Sequence, residues 1–276
     1  MNTYNVALIQ PHGYPHALAT REVALLVHYS LQSLGLNSKA TVNIFDPDSV
    51  NIVIGYQALF DPSLLANRTY IIYQLEQLSD REGWFEPRLL QLLQGAQAIW
   101  DYSQENLEFL RARGLTQLRH LPLGFHPQLQ TIAKTAQDID ILFYGSVNDR
   151  RESILAALRS RCSVTELFEV YGQERDAQIA RAKIVLNIHY FQAQIMEQVR
   201  LSYLLNNGVC VVSENSPSNP FDGMIATAPY DQLVETCLKY VRDDGLRSRT
   251  AQRGLELFRQ QPMTELLRSV LNSPAK

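Results

Sequence analysis

The stretch DIDILFYG, residues 138–145, decides the fold class. It is mainly an apolar run that ends at a glycine, and a helical pattern follows near 149–160. Apolar runs of this kind are typical of parallel strands, which are buried on both faces of a sheet. A strand followed directly by a helix is the repeating unit of an α/β domain.

The same alternation continues on both sides of this stretch. Downstream, further strands are predicted at VTELFEVYG (164–172), KIVLNIHY (183–190), GVCVVSE (208–214) and MIATAP (224–229). Upstream, apolar runs occur at NVALIQ (5–10), ATVNIF (40–45), NIVIGY (51–56), YIIYQL (70–75), AIWDYS (98–103) and LRHLPLG (118–124). The more polar segment 126–137 separates the two series and is predicted to be a linker. The sequence therefore predicts an α/β protein with two doubly wound parallel-sheet domains, 1–125 and 138–254, that face each other across a cleft.

Composition and charge narrow the class of protein. The 276 residues are 46% hydrophobic, which excludes intrinsic disorder, and the net charge of −3 argues against a general nucleic-acid binder. No segment approaches the roughly 18 consecutive apolar residues that span a bilayer, and the N-terminus lacks the pattern of a signal peptide. We therefore expect a cytoplasmic protein, in which the three widely spaced cysteines are free thiols.

Common catalytic motifs are missing from the sequence. It contains no G-x-G-x-x-G, P-loop, H-E-x-x-H or G-x-S-x-G pattern. A standard dinucleotide dehydrogenase, a P-loop ATPase, a zinc protease and a serine hydrolase therefore lose support.

The stretch 194–206, QIMEQVRLSYLLN, is predicted to be a helix that carries two charges on its apolar side. Around this helix a broad apolar arc is formed by Met196, Leu201, Tyr203, Leu204 and Leu205, and the opposite side is formed by Gln198, Ser202 and Asn206. Glu197 and Arg200 fall inside the apolar arc, where a charge needs a partner. One interpretation is that Arg200 binds a phosphate and Glu197 a sugar hydroxyl. The alternative is a Glu–Arg pair at the margin of the core.

A second candidate for anion binding is the turn after the strand 138–145. Gly145 and Ser146 lead into a helix that contains Arg150 and Arg151. Glycine lets a ligand approach the backbone, and the start of the helix offers free N–H groups to a phosphate. The alternative is an ordinary strand-to-helix turn with exposed arginines.

Candidates for a general base lie after predicted strands of the first domain. His12 and His16 belong to the proline-rich loop QPHGYPH, and a neutral imidazole there could act as the base. The two histidines could bind a metal together only if they lay on a helix, and Pro15 makes a helix unlikely. Glu76 follows the strand 70–75 and is the competing base; the alternative is a surface or capping glutamate. His126, at the domain junction, is predicted either to contact a ligand or to act at the hinge. His189, at the end of a strand, is predicted either to line the cleft or to be a satisfied buried histidine.

Four stretches together resemble the nucleotide-sugar glycosyltransferases of the GT-B fold, in particular the group 1 family. They are LPLGFHP (121–127), DIDILFYGSVNDRRESIL (138–155), RDAQIARAKIVLNIHY (175–190) and EQVRLSYLLNNGVCVVSE (197–214). The resemblance is closest in the second domain, whereas the first domain matches only in its alternation of strands and helices.

The resemblance implies a division of work between the domains. The second domain would bind the nucleotide sugar, the first would bind the acceptor, and a C-terminal helix within 255–276 would pack back on the first domain. No metal would be required. Arg200 matches an arginine of part of the family. Many retaining members carry two glutamates where this sequence has Ile195 and Tyr203, so that Glu197 or Glu214 would replace a ribose-binding glutamate.

The sequence therefore predicts a metal-independent glycosyltransferase that moves a sugar from a nucleotide-sugar donor to a glycan, lipid or small-molecule acceptor. No cofactor, no metal and no nucleic-acid partner is predicted. The alternatives are a sugar-nucleotide epimerase of the same fold and a non-catalytic, glycosyltransferase-like binding subunit. The donor sugar, the acceptor, the oligomeric state, a peripheral contact with a membrane and the inverting or retaining stereochemistry stay open.

Overall fold

The structure is a computed structural model of the chain that describes residues 3–59, 61–80, 85–191 and 194–272. The chain divides into two units. The first unit holds the residues up to His126 together with those from Gln261 onward, and the second unit holds Pro127–Gln260. The first unit is therefore built from two separate pieces of the chain.

The first unit contains a parallel sheet of six strands in the order β2-β1-β3-β4-β5-β6. The strands are β1 (Tyr4–Leu8), β2 (Ser38–Val42), β3 (Val50–Ile54), β4 (Tyr70–Gln74), β5 (Ala98–Asp101) and β6 (Leu118–His120). The α-helices of this unit are α1 (Arg21–Ser33), α2 (Pro87–Gly95), α3 (Gln104–Arg111) and α9 (Met263–Leu271). Short 3₁₀ helices lie at Pro15–Thr20, Tyr56–Ala58 and Pro62–Leu65.

The second unit contains a parallel sheet of five strands in the order β11-β10-β9-β7-β8. The strands are β7 (Ile139–Tyr144), β8 (Val164–Leu167), β9 (Ala182–Asn187), β10 (Val211–Glu214) and β11 (Ala226–Ala228). The helices are α4 (Asp149–Arg159), α5 (Gly172–Arg181), α6 (Gln198–Asn206), α7 (Leu233–Arg242) and α8 (Asp244–Arg259). Short 3₁₀ helices lie at Pro127–Leu129 and Tyr230–Gln232. The predicted fold class, two parallel-sheet α/β domains, is confirmed.

Burial explains why the inner strands read as continuous apolar runs. Val6, Ile52 and Ile72 lie on three adjacent strands of the first sheet and are completely buried. Each such side chain contributes about 1.5–3 kcal/mol by leaving water. The edge strand β2, with the sequence SKATV, is largely exposed, and its polar residues follow from that position.

One helix boundary differs from the sequence-based prediction. Helix α6 begins at Gln198 rather than near 194, because the backbone at Glu197 is not yet helical. Helix α7 ends at Arg242, and the Asp243 side chain accepts a hydrogen bond from the Leu246 N–H and so caps α8. Near the C-terminus, Phe125 pairs with Pro262 in a short parallel bridge between α8 and α9.

The side of helix α6 that was predicted to be polar, opposite the apolar arc, is buried as well. Gln198, Ser202 and Asn206 are all at least 95% buried. The helix contacts both strand β10 and helix α8. Residues of α8 follow some 40 positions later in the chain, so the local pattern of α6 could not show that its second side is covered too.

The order of the strands determines where each sheet offers a site. In the second sheet β7 lies between β8 and β9, so the chain leaves β7 on one side and returns on the other. In the first sheet β1 lies in the same way between β2 and β3. Such switch points open a crevice at the carboxyl ends of the strands, where α/β proteins bind ligands.

Candidate functional site

The carboxyl edge of the second sheet collects most of the charged residues that the sequence singled out. Three arginines, two glutamates and one histidine belong to this group, which we call the arginine cluster: Arg150, Arg151, His189, Glu197, Arg200 and Glu214. They come from the ends of β9 and β10 and from the starts of α4 and α6. The arginines outnumber the glutamates, so the cluster favours an anion.

Gly145 lets the arginine cluster approach the backbone at the end of β7. Its φ of +128° is a conformation that side-chain-bearing residues rarely adopt. A Cβ atom at this position would lie 2.8 Å from the Nη2 atom of Arg200. The absence of a side chain therefore makes room for the Arg200 guanidinium. Asn148, the N-cap of α4, accepts a hydrogen bond from the Arg151 N–H and occupies one of the free donors at this helix start.

Arg151 holds two loops of the site together. Its Nε atom donates to the Ile188 carbonyl at 2.9 Å and its Nη1 atom to the Ser146 carbonyl at 2.7 Å. Only 4% of its side chain is exposed. Burial, with the positive charge of Arg200 nearby, lowers the pKa of Arg151 to about 10. Arg151 stays protonated at neutral pH and links the turn after β7 to the end of β9.

Arg150 and Glu214 form an ion pair through both guanidinium nitrogens and both carboxylate oxygens. The Arg150 guanidinium also lies over the Tyr230 ring, at 4.1 Å from its centre. Glu214 is buried and accepts a further hydrogen bond from the His189 backbone N–H at 3.1 Å. Both oxygens of Glu214 are therefore used within the protein.

Glu197 lies just before α6 and binds groups of β9 rather than Arg200. Its carboxylate accepts hydrogen bonds from the Asn187 amide at 2.9 Å and from His189 Nδ1 at 3.2 Å. Burial raises the pKa of Glu197, but the hydrogen bond and charge of His189, aided by Asn187 and Arg200, outweigh burial and lower it. The alternative of a Glu197–Arg200 ion pair is wrong, since the two are not paired.

Arg200 has the least compensated charge of the cluster. Its Nη1 atom donates to the Asn187 side-chain oxygen at 3.1 Å, and its guanidinium lies over the Tyr144 ring at 4.8 Å from the centre. Among residues that the structure describes, it forms no ion pair with a carboxylate. A partly buried guanidinium without an anionic partner is suited to binding an anion from solution.

Glu76 occupies the carboxyl edge of the first sheet, just after β4. Its Oε1 atom accepts a hydrogen bond from the Gln57 amide at 2.9 Å. The Gln74 side chain bonds both the N–H and the carbonyl of Glu76, which fixes this backbone. Burial raises the pKa of Glu76. Glu76 is therefore a carboxylate held in place, not the freely exposed surface glutamate that was the alternative.

Asp101, which the sequence analysis did not single out, ends strand β5 close to Glu76. It is completely buried and accepts hydrogen bonds from the Ser103 N–H and from the side chains of Asn106 and Gln74. Burial raises the pKa of Asp101 to about 8, although these hydrogen bonds act against the shift. The available signal was an acidic residue that closes an otherwise apolar run, AIWD.

His12 and His16 lie after β1 as expected, but in different local structures. His12 is exposed in a turn at Gly13, whose φ is +74°. The prediction that Pro15 makes a helix unlikely is wrong, because a short 3₁₀ helix begins at this residue. The fixed φ of proline suits the first position of a helix. His16 lies in this helix and packs edge-on against Tyr14.

His126 is the last residue of the first unit rather than part of a linker. The residue is 2% exposed, its Nε2 atom lies 3.1 Å from the Ser33 hydroxyl, and its ring stacks on that of Tyr29. Burial lowers the pKa of His126. The ring is thus part of the packing against α1.

The described residues offer neither a metal site nor a membrane-spanning helix. No group of three or more histidine, cysteine, aspartate or glutamate side chains is placed to hold a metal ion in this part of the chain. Asp46, in an Asp-Pro-Asp segment after β2, is paired with Lys39 and bonded to Ser49. Within the same ranges no helix has the length and apolar character required to cross a bilayer.

The chain resembles proteins for which no activity is described. No family model matches it. It is 31% identical over 156 residues to an uncharacterized protein of Acanthamoeba polyphaga mimivirus, a match that covers 52% of this chain and 50% of that protein. A second uncharacterized protein of this virus is 29% identical over 147 residues, which cover 50% of this chain and 51% of the relative. The chain thus spans about half the length of these curated relatives.

Solved structures show which architecture the chain has. The β-glucosyltransferase of phage T4 matches with a TM-score of 0.62 and 10% identity, over 99% of this chain and 100% of that one. AviGT4, a glycosyltransferase involved in avilamycin A biosynthesis, matches with a TM-score of 0.58 and 14% identity over 100% of both chains. This chain has the GT-B fold.

A further GT-B structure, TarM, matches with a TM-score of 0.59 and 14% identity, over 91% of this chain and 58% of that one. These structural neighbours are glycosyltransferases. The predicted resemblance to the GT-B fold is therefore confirmed, and at these identities the likeness is one of architecture.

Proposed function

We propose that the chain is a glycosyltransferase that takes a sugar from a nucleotide-sugar donor and passes it to an acceptor hydroxyl. The second unit binds the donor. The observation that carries this proposal is Arg200, an arginine at the switch point of the second sheet that forms no ion pair with a carboxylate of the described residues. It fits the fold, because the structural neighbours are glycosyltransferases.

The diphosphate of the donor is the group that best suits the arginine cluster. Arg200 offers its remaining N–H groups, and the bare backbone at Gly145 lets a phosphate approach closely. Arg151 adds positive charge to the site, although its own N–H donors bond to backbone carbonyls. When the sugar leaves, negative charge grows on the diphosphate, and fixed guanidinium groups stabilise it without a metal.

Glu197 is the group we assign to a hydroxyl of the ribose or of the sugar. Its carboxylate accepts hydrogen bonds from Asn187 and His189 and keeps acceptor capacity for one more donor. Its side chain is 16% exposed, against 3% for Glu214. Of the two glutamates that the family resemblance left open, Glu197 is therefore the better candidate.

For the acceptor, we assign the role of general base in the first unit to Glu76 rather than to His12. A base must be held in place and must have a pKa that suits proton abstraction. Glu76 is held by Gln57 and Gln74, and burial raises its pKa from the ordinary value of a glutamate. His12 is exposed on a turn.

Bound molecules in related structures support a nucleotide-sugar donor. The T4 β-glucosyltransferase is described with uridine diphosphoglucose, a TarM mutant with UDP, and an α1,3-fucosyltransferase with GDP-fucose. These three proteins share the fold of this chain with TM-scores of 0.61, 0.57 and 0.54.

A thermal-shift screen tests the donor class directly. We expect UDP or GDP, and the corresponding nucleotide sugars, to raise the melting temperature of the chain, whereas uridine and guanosine leave it nearly unchanged. A ligand at 100 times its dissociation constant stabilises the folded state by about 2.7 kcal/mol. Equal shifts with and without the diphosphate would remove the arginine cluster as the donor site.

Turnover measurements separate the proposal from its alternatives. A transferase releases nucleoside diphosphate only as an acceptor is glycosylated, an epimerase interconverts the nucleotide sugar without an acceptor, and a binding subunit does neither. Product analysis of one nucleotide sugar, with and without an acceptor mixture, distinguishes the three.

Metal independence gives a further prediction. We expect EDTA to change nucleotide binding or transfer by no more than about twofold, which corresponds to ~0.4 kcal/mol. The reason is that guanidinium groups supply the positive charge that a metal would otherwise provide. The measurement is repeated after manganese or magnesium is added back, and complete loss with EDTA followed by recovery with metal would contradict the proposal.

A further inference from the structure

His189 is a completely buried side chain that the proposed sugar transfer does not use directly. Its Nε2 atom lies 3.0 Å from the Asn215 carbonyl oxygen, and its Nδ1 atom lies 3.2 Å from the Glu197 carboxylate. A backbone carbonyl and a carboxylate only accept hydrogen bonds. Both ring nitrogens must therefore carry a proton, which makes His189 an imidazolium cation.

The other neighbours of Glu197 support this assignment. Its carboxylate accepts a hydrogen bond from the Asn187 amide, and the Arg151 guanidinium lies 3.9 Å away. Surrounded by donors and cations, Glu197 is ionised, and the proton between Glu197 and His189 belongs to the histidine.

A continuous series of hydrogen bonds leads from His189 to Arg200. His189 donates to Glu197, Glu197 accepts from Asn187 Nδ2 at 2.9 Å, and Asn187 Oδ1 accepts from Arg200 Nη1 at 3.1 Å. The Asn187 amide also donates to the Ser213 hydroxyl at 3.1 Å. Because the anionic Glu197 attracts the amide nitrogen of Asn187, the amide oxygen points to Arg200.

The charged groups around His189 come from three elements. They are Arg150 and Arg151 of α4, Glu197 and Arg200 at the start of α6, and Glu214 of β10. Burial by itself lowers the pKa of His189. The hydrogen bond to Glu197 and the charges of Glu197 and Glu214 act in the opposite direction and outweigh it, so the pKa of His189 is raised.

We propose that His189 is a positioning residue, a buried cation that keeps Glu197 ionised and, through Asn187, holds Arg200 in place for the donor diphosphate. The inference rests on the proposed function, because Arg200 matters here as a phosphate ligand. It adds a pH dependence to donor binding that comes from the protein.

The direction of this dependence follows from the sign of the shift. A group whose pKa is raised by folding stabilises the folded site fully at pH values below its unfolded pKa. This stabilisation is lost as the pH rises through its folded pKa. Donor affinity should therefore fall at alkaline pH. The ligand contributes the opposite trend, since a phosphate gains negative charge as pH increases.

The experiment measures the dissociation constants of UDP and of GDP between pH 6.5 and 9 by calorimetry. Four proteins are compared: the unmodified chain, His189→Asn, Arg200→Ala and the control His120→Asn. Asparagine keeps a neutral donor near the Nδ1 position. The ligand titrates in the same way with every protein. The ratio of the dissociation constants of the unmodified chain and of His189→Asn, taken at each pH, therefore isolates the contribution of His189. The ¹⁵N resonances of the His189 ring report its protonation without any nucleotide.

We expect the affinity of the unmodified chain to fall by about tenfold relative to His189→Asn across this range, the size of one charge-assisted contact. The control His120→Asn should follow the unmodified chain. Arg200→Ala should show a weaker dependence, since the contribution of His189 that acts through Arg200 is lost and the two substitutions are then non-additive.

Identical profiles for the unmodified chain and His189→Asn, or a neutral His189 ring at pH 6.5, would overturn the inference and leave the proposed function intact. If His189→Asn does not fold by circular dichroism, the ring resonances and the comparison with Arg200→Ala decide. If the unmodified chain binds neither UDP nor GDP at any pH, the donor site itself is wrong, and this inference fails together with it.

Discussion

Replacement of Arg200 by alanine should weaken the binding of UDP or GDP by at least tenfold. Arg200 is the arginine of the cluster that forms no ion pair with a carboxylate of the described residues, and it lies against the bare backbone of Gly145. A charge-assisted contact contributes about 1.5–3 kcal/mol, and each 1.4 kcal/mol or so corresponds to a factor of ten. Calorimetric titration of the purified variant measures this effect.

Two matched substitutions make the test specific. Arg200→Lys should recover only part of the affinity, because an ammonium group cannot provide the planar fork of a guanidinium. Arg161→Ala removes an exposed arginine of the same unit, paired with Glu235, and should leave binding unchanged. A folded Arg200→Ala variant that binds nucleotide like the unmodified chain would show that the diphosphate lies elsewhere.

A substitution at Gly145 tests whether nucleotide binding needs the space beside the backbone at this position. Gly145→Ala introduces a Cβ atom 2.8 Å from the Arg200 guanidinium. Gly172→Ala is the control, since Gly172 also has a positive φ, but a methyl group added there would meet no atom of the described neighbours within 4 Å. We expect both variants to lose some stability, and only Gly145→Ala to lose nucleotide affinity as well.

Replacement of Glu76 by glutamine should lower turnover by about 10²–10⁴-fold while donor binding changes little, since general-base catalysis contributes that much. Glutamine preserves the shape and the contact with Gln57 but cannot accept a proton. Because burial raises the pKa of Glu76, the activity of the unmodified chain should begin to fall, as the pH is lowered, at a higher pH than an ordinary exposed glutamate would give. Steady-state kinetics as a function of pH measures both effects.

Variants of the two loop histidines are the comparison for Glu76→Gln. His12→Ala should mainly raise the KM for the acceptor, and His16→Ala should matter less, because this ring packs on Tyr14. Glu86→Gln, a substitution at an exposed glutamate of the same unit, should leave turnover and KM unchanged. Near-normal turnover in Glu76→Gln together with a large loss in His12→Ala would transfer the role of base to His12.

The strands could be predicted from the sequence because burial on both faces leaves a local signal. Runs such as YIIYQL and DIDILFYG contain strands β4 and β7. The position of the arginine cluster followed from the same reasoning, since side chains after parallel strands meet at one edge of the sheet.

The hydrogen-bonding partners could not be predicted in the same way. Glu197 and Arg200 are three residues apart, yet Glu197 bonds to His189 and Arg200 to Asn187, because α6 begins only at Gln198. Which side chain faces which depends on the start of the helix and on its packing against β10 and α8. Neither appears in the spacing of apolar residues.

The two-piece composition of the first unit affects how the chain folds during its synthesis. Helix α9 packs on α1, and Gly124 lies so close to the backbone of Gln261 that a side chain there would collide with it. On the ribosome, the residues up to His126 emerge first and must wait for the whole second unit, Pro127–Gln260, before α9 is available. The second unit is continuous in the chain, so the contact between α9 and α1 can form only after the whole second unit has been synthesised.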